Sequence, residues 1–158
     1  MKFVKLSVRA TADEALLLLR NHEYVNRGVK FDEKYGKPVM KIKDKGERIT
    51  VTCEMIGGPG KDNGFLVGTF FTGRLKEREG VVTLSGIITT APLYHLGLLL
   101  LTAFFVYQCI RLGGFNPIPV ILLAFSYLMF KREFKKQGTI QRYLDRAFRL
   151  LGENKKTR

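Results

Sequence analysis

A glycine-rich segment, GGPGKDNG at residues 57–64, is the part of the chain that comes closest to a phosphate-binding loop. A P-loop needs a glycine five residues before its Gly-Lys pair, a serine or threonine directly after that pair, and then a helix whose N terminus faces the phosphate. Around Gly60-Lys61 those two positions hold Met55 and Asp62, and the following residues have the pattern of a strand. The segment therefore predicts a turn and no nucleotide site.

Few residues are candidates for acid–base or nucleophilic chemistry. His22 and Glu23 are adjacent in sequence, but neighbouring residues of a helix point in different directions and do not form an acid–base pair. A histidine at the C-terminal end of a helix is explained by its favourable interaction with the helix dipole. Ser85 lacks the glycines that flank a hydrolase nucleophile, since Thr83 and Ile87 stand at the two positions. No catalytic residue is predicted.

The cysteines and the second histidine do not form a metal or disulfide pattern. Cys53 falls in a predicted strand and Cys109 in an apolar helix, which predicts different compartments, and neither has a cysteine or histidine at ligand spacing. His95 lies beside Tyr94 at the edge of an apolar stretch, which is typical of an interfacial residue. We therefore predict no metal-ligating or cofactor-binding residue, and no cofactor.

The apolar stretch at residues 91–136 predicts a transmembrane hairpin of two helices, 91–111 and 116–134. Between Pro92 and Phe130 the one formal charge is Arg111, at the predicted turn. A helix of about 20 apolar residues is roughly 30 Å long, which matches the hydrocarbon thickness of a bilayer. Because this chain is small, we expect the hairpin to lie in a membrane and not in a large core.

The charge distribution predicts the orientation of that hairpin. The formal net charge is +13, and the excess is densest after the second apolar helix. Basic residues at helix ends mark the cytoplasmic side, which predicts a multi-pass cell-membrane protein with both termini cytoplasmic. Four basic residues directly after the uncharged run that ends at Phe130 are predicted to contact anionic headgroups, although they could also only set the topology: Lys131, Arg132, Lys135 and Lys136.

Gln108 is the notable polar residue of the apolar stretch. An amide inside a membrane favours a hydrogen bond to a neighbouring helix, which makes Gln108 a candidate for an interhelical contact. Its position near the helix end, close to Arg111, supports the alternative that it reaches water at the outer interface.

The remaining sequence predicts an α+β domain with a small antiparallel sheet of about five strands. Thr11 and Glu14 have the spacing of a capping box, which predicts a helix from about Ala12 to His22. Helical spacing of apolar residues predicts a C-terminal amphipathic helix after a break at Gly138. Strands are predicted by alternating or apolar runs at residues 2–9, 39–43, 48–56, 65–76 and 81–90.

The domain organisation follows from these elements. Residues 1–90 form the cytoplasmic α+β domain and residues 91–136 the hairpin. Residues 137–158 form an amphipathic helix with a basic tail; the simplest arrangement packs this helix beside the N-terminal helix and completes the domain, while its basic face and apolar stripe equally suit a position on the membrane surface. Glycines in the middle of two strands predict bulges or close backbone approach.

Three functional hypotheses remain at this point. The first is a small integral membrane protein whose α+β domain is a non-enzymatic interaction, regulatory or accessory module. The second is a membrane-tethered lipid-binding or lipid-sensing module. The third is a small membrane-bound enzyme, whose pocket would have to bring His22, Glu23 or Asp13 to a nucleophile that the sequence does not show. The expected partners are a bilayer with anionic headgroups and a protein partner or second copy, and not nucleic acid.

Overall fold

The computed structural model describes residues 1–29, 37–56, 68–90, 92–112 and 117–156. Within these ranges the chain forms five strands and four helices. Their bounds are β1 Lys2–Arg9, α1 Ala12–Arg20, α2 His22–Val25, β2 Lys37–Lys45, β3 Arg48–Ile56, β4 Thr69–Arg78, β5 Val81–Thr90, α3 Pro92–Leu112 and α4 Pro117–Lys156.

All five strands belong to one antiparallel sheet with the order β1-β5-β4-β3-β2. Each neighbouring pair from β2 to β5 is consecutive in the sequence, and β1 joins the free edge of β5, with Lys2 opposite Ile88 and Arg9 opposite Val81. The predicted α+β architecture with a five-stranded antiparallel sheet is confirmed. The terminal strand β1 thus brings the start of the chain next to the residues that precede α3.

One face of the sheet is covered by helices and contains the core. The C-terminal half of α4 lies across β1, β5, β4 and β3, with α1 beside it. Strand positions that alternate toward the helices are buried, as period-two patterning requires. The buried apolar side chains include Val4, Val51, Phe71, Leu84 and Ile88 from the sheet, Leu18 and Leu19 from α1, and Ile140, Tyr143, Leu144, Ala147, Phe148 and Leu151 from α4.

The predicted capping box at the start of α1 is present. The Thr11 hydroxyl accepts a hydrogen bond from the Glu14 backbone N–H at 3.3 Å, and the Glu14 carboxylate accepts one from the Thr11 N–H at 3.0 Å. The helix ends at Arg20 and not at His22, because Asn21 is both the C-cap of α1 and the N-cap of α2. His22 therefore begins α2.

A pair of glycines in the sheet lets an aromatic ring lie close to the backbone. Gly73 of β4 and Gly86 of β5 are opposite each other in the register. A side chain on either would collide with the fully buried Phe71 ring, and one on Gly73 would also lie 2.6 Å from the Ser85 carbonyl oxygen. Two of the three predicted mid-strand glycines, Gly73 and Gly86, are thus sites of close approach, where the Phe71 ring takes the space of two missing side chains, whereas Gly68 precedes β4.

Gly86→Ala is expected to destabilise the fold by roughly 2–3 kcal/mol, since a methyl group there meets the Gly73 Cα and the Thr72 carbonyl oxygen, which are backbone atoms that cannot rotate away. Urea denaturation measures the free energy of unfolding. The control is Gly138→Ala in α4, where the added methyl group meets no atom within 4 Å; it should stabilise the helix by about 0.5–1 kcal/mol. Equal effects of the two substitutions would contradict this account of the glycine pair.

Tyr143 connects α4 to α1 by a hydrogen bond. Its buried hydroxyl donates a hydrogen bond of 2.5 Å to the Leu19 carbonyl oxygen, and burial raises the pKa of the phenol above its ordinary value of 10. In the unfolded chain the phenol ionises near pH 10, whereas in the folded chain it stays neutral to higher pH. Its contribution to stability is therefore intact below pH 10 and is lost as the pH rises through the raised pKa.

Tyr143→Phe should lower the free energy of unfolding at pH 7 by about 1–2 kcal/mol, because the Leu19 carbonyl loses its donor. The same variant should show a shallower loss of stability above pH 10 than the wild type, because the group that ionises on unfolding is gone. Denaturation curves at pH 7 and at several values above pH 10 measure both effects. Parallel pH profiles for the two proteins would show that the hydroxyl is not held neutral by burial.

The predicted helix break at Gly138 is wrong. Residues 117–156 form one continuous helix of 40 residues, about 60 Å long. Its buried positions on both sides of Gly138, at Glu133, Gln137, Ile140 and Leu144, keep helical spacing along one face. A glycine inside a helix costs only about 1 kcal/mol, which this continuous packing outweighs.

In the described part of the chain, no helix is both long enough and apolar enough to cross a membrane. Helix α3 includes the polar or charged residues His95, Gln108 and Arg111 among its apolar ones. The apolar start of α4 continues without interruption into the charged residues around Glu133. The prediction of a transmembrane hairpin at 91–111 and 116–134 is therefore wrong. So are the classification as an integral or membrane-tethered protein, the multi-pass cell-membrane location and the cytoplasmic orientation inferred from it.

Candidate functional site

The candidate site is built on the two helices that project from the α+β fold. Helix α3 leaves β5 and packs against the first part of α4. At the base of this pair the His95 ring contacts Phe130 edge to face, with ring centroids 5.1 Å apart, and Phe130 contacts Phe134 at 5.6 Å. Because a residue near the start of α3 meets one far along α4, the two helices run antiparallel. We call residues 95–111 and 117–130 the hairpin.

Half-buried positions follow one side of α3, the side that faces α4. They recur at helical spacing and are Gly97, Leu98, Leu101, Phe105, Gln108 and Cys109. The Gln108 side chain therefore lies on the side where an interhelical contact would form, and its predicted hydrogen bond to a neighbouring helix stays a prediction.

The outer faces of α3 and of the first part of α4 are apolar and exposed. Thirteen large apolar side chains there are 45–77% exposed: Leu96, Leu99, Leu100, Phe104, Val106, Tyr107, Ile110, Ile121, Leu122, Phe125, Tyr127, Leu128 and Phe134. The five aromatic ones alone expose roughly 400–650 Å², taking about 150–250 Å² for each complete ring side chain. The largest apolar patch of a typical monomer is about 300–600 Å², so this surface is larger than a monomer normally leaves uncovered.

A shallow groove runs along α3 within this surface. Its lining residues alternate in steps of three and one along a single helical face for four turns: His95, Leu98, Leu99, Thr102, Ala103, Val106, Tyr107 and Ile110. The two smallest side chains, Thr102 and Ala103, lie at its centre. The Thr102 hydroxyl donates to the Leu98 carbonyl oxygen at 2.7 Å, so it needs no other partner when the groove is covered. A groove of this spacing has the shape that receives the ridge of another helix.

The basic residues predicted to contact anionic headgroups differ in their exposure to solvent. Lys131 and Lys135 are exposed on α4, whereas Lys136 is buried and lies 2.6 Å from the Glu133 carboxylate. The side chain of Arg132 is outside the described residues. Contact of this group with anionic lipid stays a prediction, and in the structure Lys136 has a protein carboxylate beside it instead.

A buried polar cluster lies where α4 passes the ends of β4 and β5. Thr69 and Thr90, paired across the two strands, have their hydroxyl oxygens 3.2 Å apart. The Thr69 hydroxyl donates to the Glu133 carbonyl oxygen at 2.9 Å, and the Gln137 amide donates to the Thr90 hydroxyl at 2.9 Å. These bonds attach one turn of α4 to the sheet at the base of the hairpin.

The cluster is buried almost completely. The exposed fractions of Thr69, Thr90, Glu133, Lys136 and Gln137 are 1–5%. Within the described part of the chain, one oxygen of the Glu133 carboxylate and the Gln137 amide oxygen accept no hydrogen bond. Burying charged and polar groups is costly unless they are paired, so the arrangement tolerates little change in either partner.

Glu133→Gln is expected to destabilise the fold by about 3 kcal/mol, because the negative charge 2.6 Å from the buried Lys136 ammonium is removed. Replacing both residues, Glu133→Leu with Lys136→Met, should cost clearly less than Glu133→Gln alone, since no buried charge remains. Thermal or urea unfolding of the three proteins measures the difference. A double variant that is as unstable as Glu133→Gln, or more so, would contradict this account of the pair.

The other residues considered for catalysis are not brought together. His22 and Glu23 lie at the start of α2, where both are at least partly exposed, and Asp13 is exposed in the first turn of α1. Ser85 is exposed on β5, opposite Lys5 and Arg74. The segment 57–64 lies outside the described residues.

The described ranges contain neither a metal-binding group of side chains nor a disulfide bond. There, no group of three or more histidine, cysteine, aspartate or glutamate side chains could hold a metal ion. Cys53 is buried in β3 and Cys109 is half-buried in α3, and neither forms a disulfide.

No protein-family model, curated protein or solved structure matches the chain.

Proposed function

We propose that this chain is an assembly module that pairs with a second copy through the apolar surface of its hairpin. The observation that carries the proposal is the size of that surface. Stable interfaces bury about 800 Å² on each partner, with an apolar centre and a polar rim. The exposed apolar side chains of α3 and α4 offer an area of this order, with His95 and Arg111 near its two ends.

The gain from covering the surface is large enough for association. Removing about 600 Å² of apolar area from water on each of two copies yields a gross stabilisation of roughly 30 kcal/mol at 25 cal/mol per Å². Lost translational and rotational freedom costs about 4–15 kcal/mol, and the ordering of interface side chains costs more. The surplus supports a specific complex even if only part of the area is covered.

Charge favours the hairpin over the rest of the surface as the place where copies meet. Of the formal net charge of +13, residues 92–130 contribute +1, from Arg111, which leaves +12 on the remainder of the chain. Two copies that approached through the α+β part would bring like charges together. The hairpin lets them approach through a nearly uncharged surface.

The test compares self-association of the wild type with that of two variants by sedimentation velocity over a range of protein concentrations. Leu99→Glu with Tyr107→Glu places two charges in the groove and should weaken dimerisation by at least about 100-fold, or about 2.7 kcal/mol. The matched control is Leu17→Glu, which changes a 73% exposed leucine of α1 away from the hairpin and should leave the dimer intact.

Two results would overturn the proposal. One is a wild type that stays monomeric at every concentration. The other is a wild type that floats with phosphatidylserine-containing vesicles and shows no self-association without them, because then lipid would be the partner of the apolar surface, with Lys131 and Lys135 beside anionic headgroups.

A further inference from the structure

The lining positions of the groove on α3 keep the same spacing when the direction of the helix is reversed. If the helix is reversed about the midpoint between residues 102 and 103, each lining position coincides with another lining position, because the two numbers of every pair add up to 205. The lining positions are 95, 98, 99, 102, 103, 106, 107 and 110. This rule pairs Thr102 with Ala103, Leu99 with Val106, Leu98 with Tyr107 and His95 with Ile110. Helical spacing gives such a pairing to any face of a helix. What distinguishes this face is that its two smallest side chains, Thr102 and Ala103, would lie opposite each other at a two-fold axis perpendicular to the helix.

We propose that two copies pair with their α3 helices antiparallel, and that the two-fold axis passes between Thr102 and Ala103. This inference rests on the proposed function and specifies its geometry. The small side chains at the centre let the two backbones approach closely, and the larger Leu99 and Val106 then pack on either side of them. The residues of α3 that can carry charge, His95 and Arg111, lie toward the ends, where water reaches them.

Charge selects the antiparallel arrangement over the parallel one. In a parallel pair the two Arg111 side chains would lie side by side, and the two α+β parts, which share most of the +12 outside residues 92–130, would be neighbours. In an antiparallel pair the α+β parts lie at opposite ends of a bundle about 25 Å long. That separation exceeds the Debye length of about 8–10 Å at ordinary ionic strength, so the repulsion is screened.

Site-directed cross-linking tests the arrangement in the full chain. Each variant carries Cys109→Ser, so that the new cysteine is the reactive one on α3, and is treated with a short bismaleimide. Ala103→Cys should cross-link to itself, since position 103 adjoins the two-fold axis. Ile110→Cys alone should not, because the two copies of position 110 would lie about 20 Å apart along the helices. A mixture of His95→Cys and Ile110→Cys chains should cross-link between the two kinds of chain.

The outcomes separate this inference from the proposed function. A dimer by sedimentation in which Ile110→Cys cross-links to itself as readily as Ala103→Cys would show a parallel pair and overturn the inference alone. A dimer in which none of these positions cross-links would place the contact on another face, with the same consequence. A monomer by sedimentation would overturn the proposed function and this inference with it. Cross-linking at position 103 and between positions 95 and 110, and not at 110 alone, is the expected result.

Discussion

The continuity of α4 is the constraint on which the rest of the structure depends. A helix of 40 residues is about 60 Å long, roughly twice the diameter of a small domain. Its C-terminal half is fixed on the sheet by the buried side chains from Ile140 to Leu151 and by the Tyr143 hydrogen bond to α1. The N-terminal half therefore has to project beyond the sheet, and α3 projects with it.

The buried polar cluster determines where the projection begins. Apolar packing alone would let α4 slide or rotate by small amounts, whereas the hydrogen bonds from Thr69 and Gln137 are satisfied in a single register. Thr90, the last residue of β5, accepts from Gln137 and lies two residues before α3 starts. The same contacts thus orient both helices of the hairpin, so that a surface far from the core is held by groups at the edge of the core.

The chain thus has one part that buries its own apolar side chains and another part that leaves them exposed. On the sheet side, amphipathic elements bury their apolar faces against one another. Along α3 and the start of α4 the apolar side chains cover the outer faces as well as the seam between the helices. A surface of this kind is costly in water, and because it is nearly uncharged in a strongly basic protein, we propose it as the place where two copies meet.

Local patterns in the sequence predicted the elements that are governed by local rules. The alternation of Arg48 to Ile56 predicted β3 with its bounds, and the Thr11–Glu14 spacing predicted the start of α1. The glycines of β4 and β5 predicted close approach, which the Phe71 ring fulfils. These features depend on neighbours in the sequence or on one adjacent strand.

The errors concern features that depend on distant contacts. Gly138 predicted a break because a glycine disfavours a helix, but the packing of α4 on four strands overrides that preference. Contact of Lys136 with anionic headgroups stays a prediction, but its burial beside Glu133 does not follow from local sequence, since that carboxylate belongs to a cluster assembled with β4 and β5. The signal that could have revealed it is the spacing of Glu133, Lys136 and Gln137 on the same helical face as Ile140. The apolar hairpin was predicted to cross a membrane from its composition alone, which does not show what covers it.

Hydrogen exchange at the backbone of α3 shows whether a second copy covers the hairpin. If a second copy covers the hairpin, the amides of residues 95–111 should exchange more slowly as the protein concentration rises, because the paired state protects them. The amides of β5, Val81–Thr90, lie in the sheet and should exchange at the same rate throughout. Exchange in α3 that does not change across the concentration range, from well below to well above micromolar, would contradict the account.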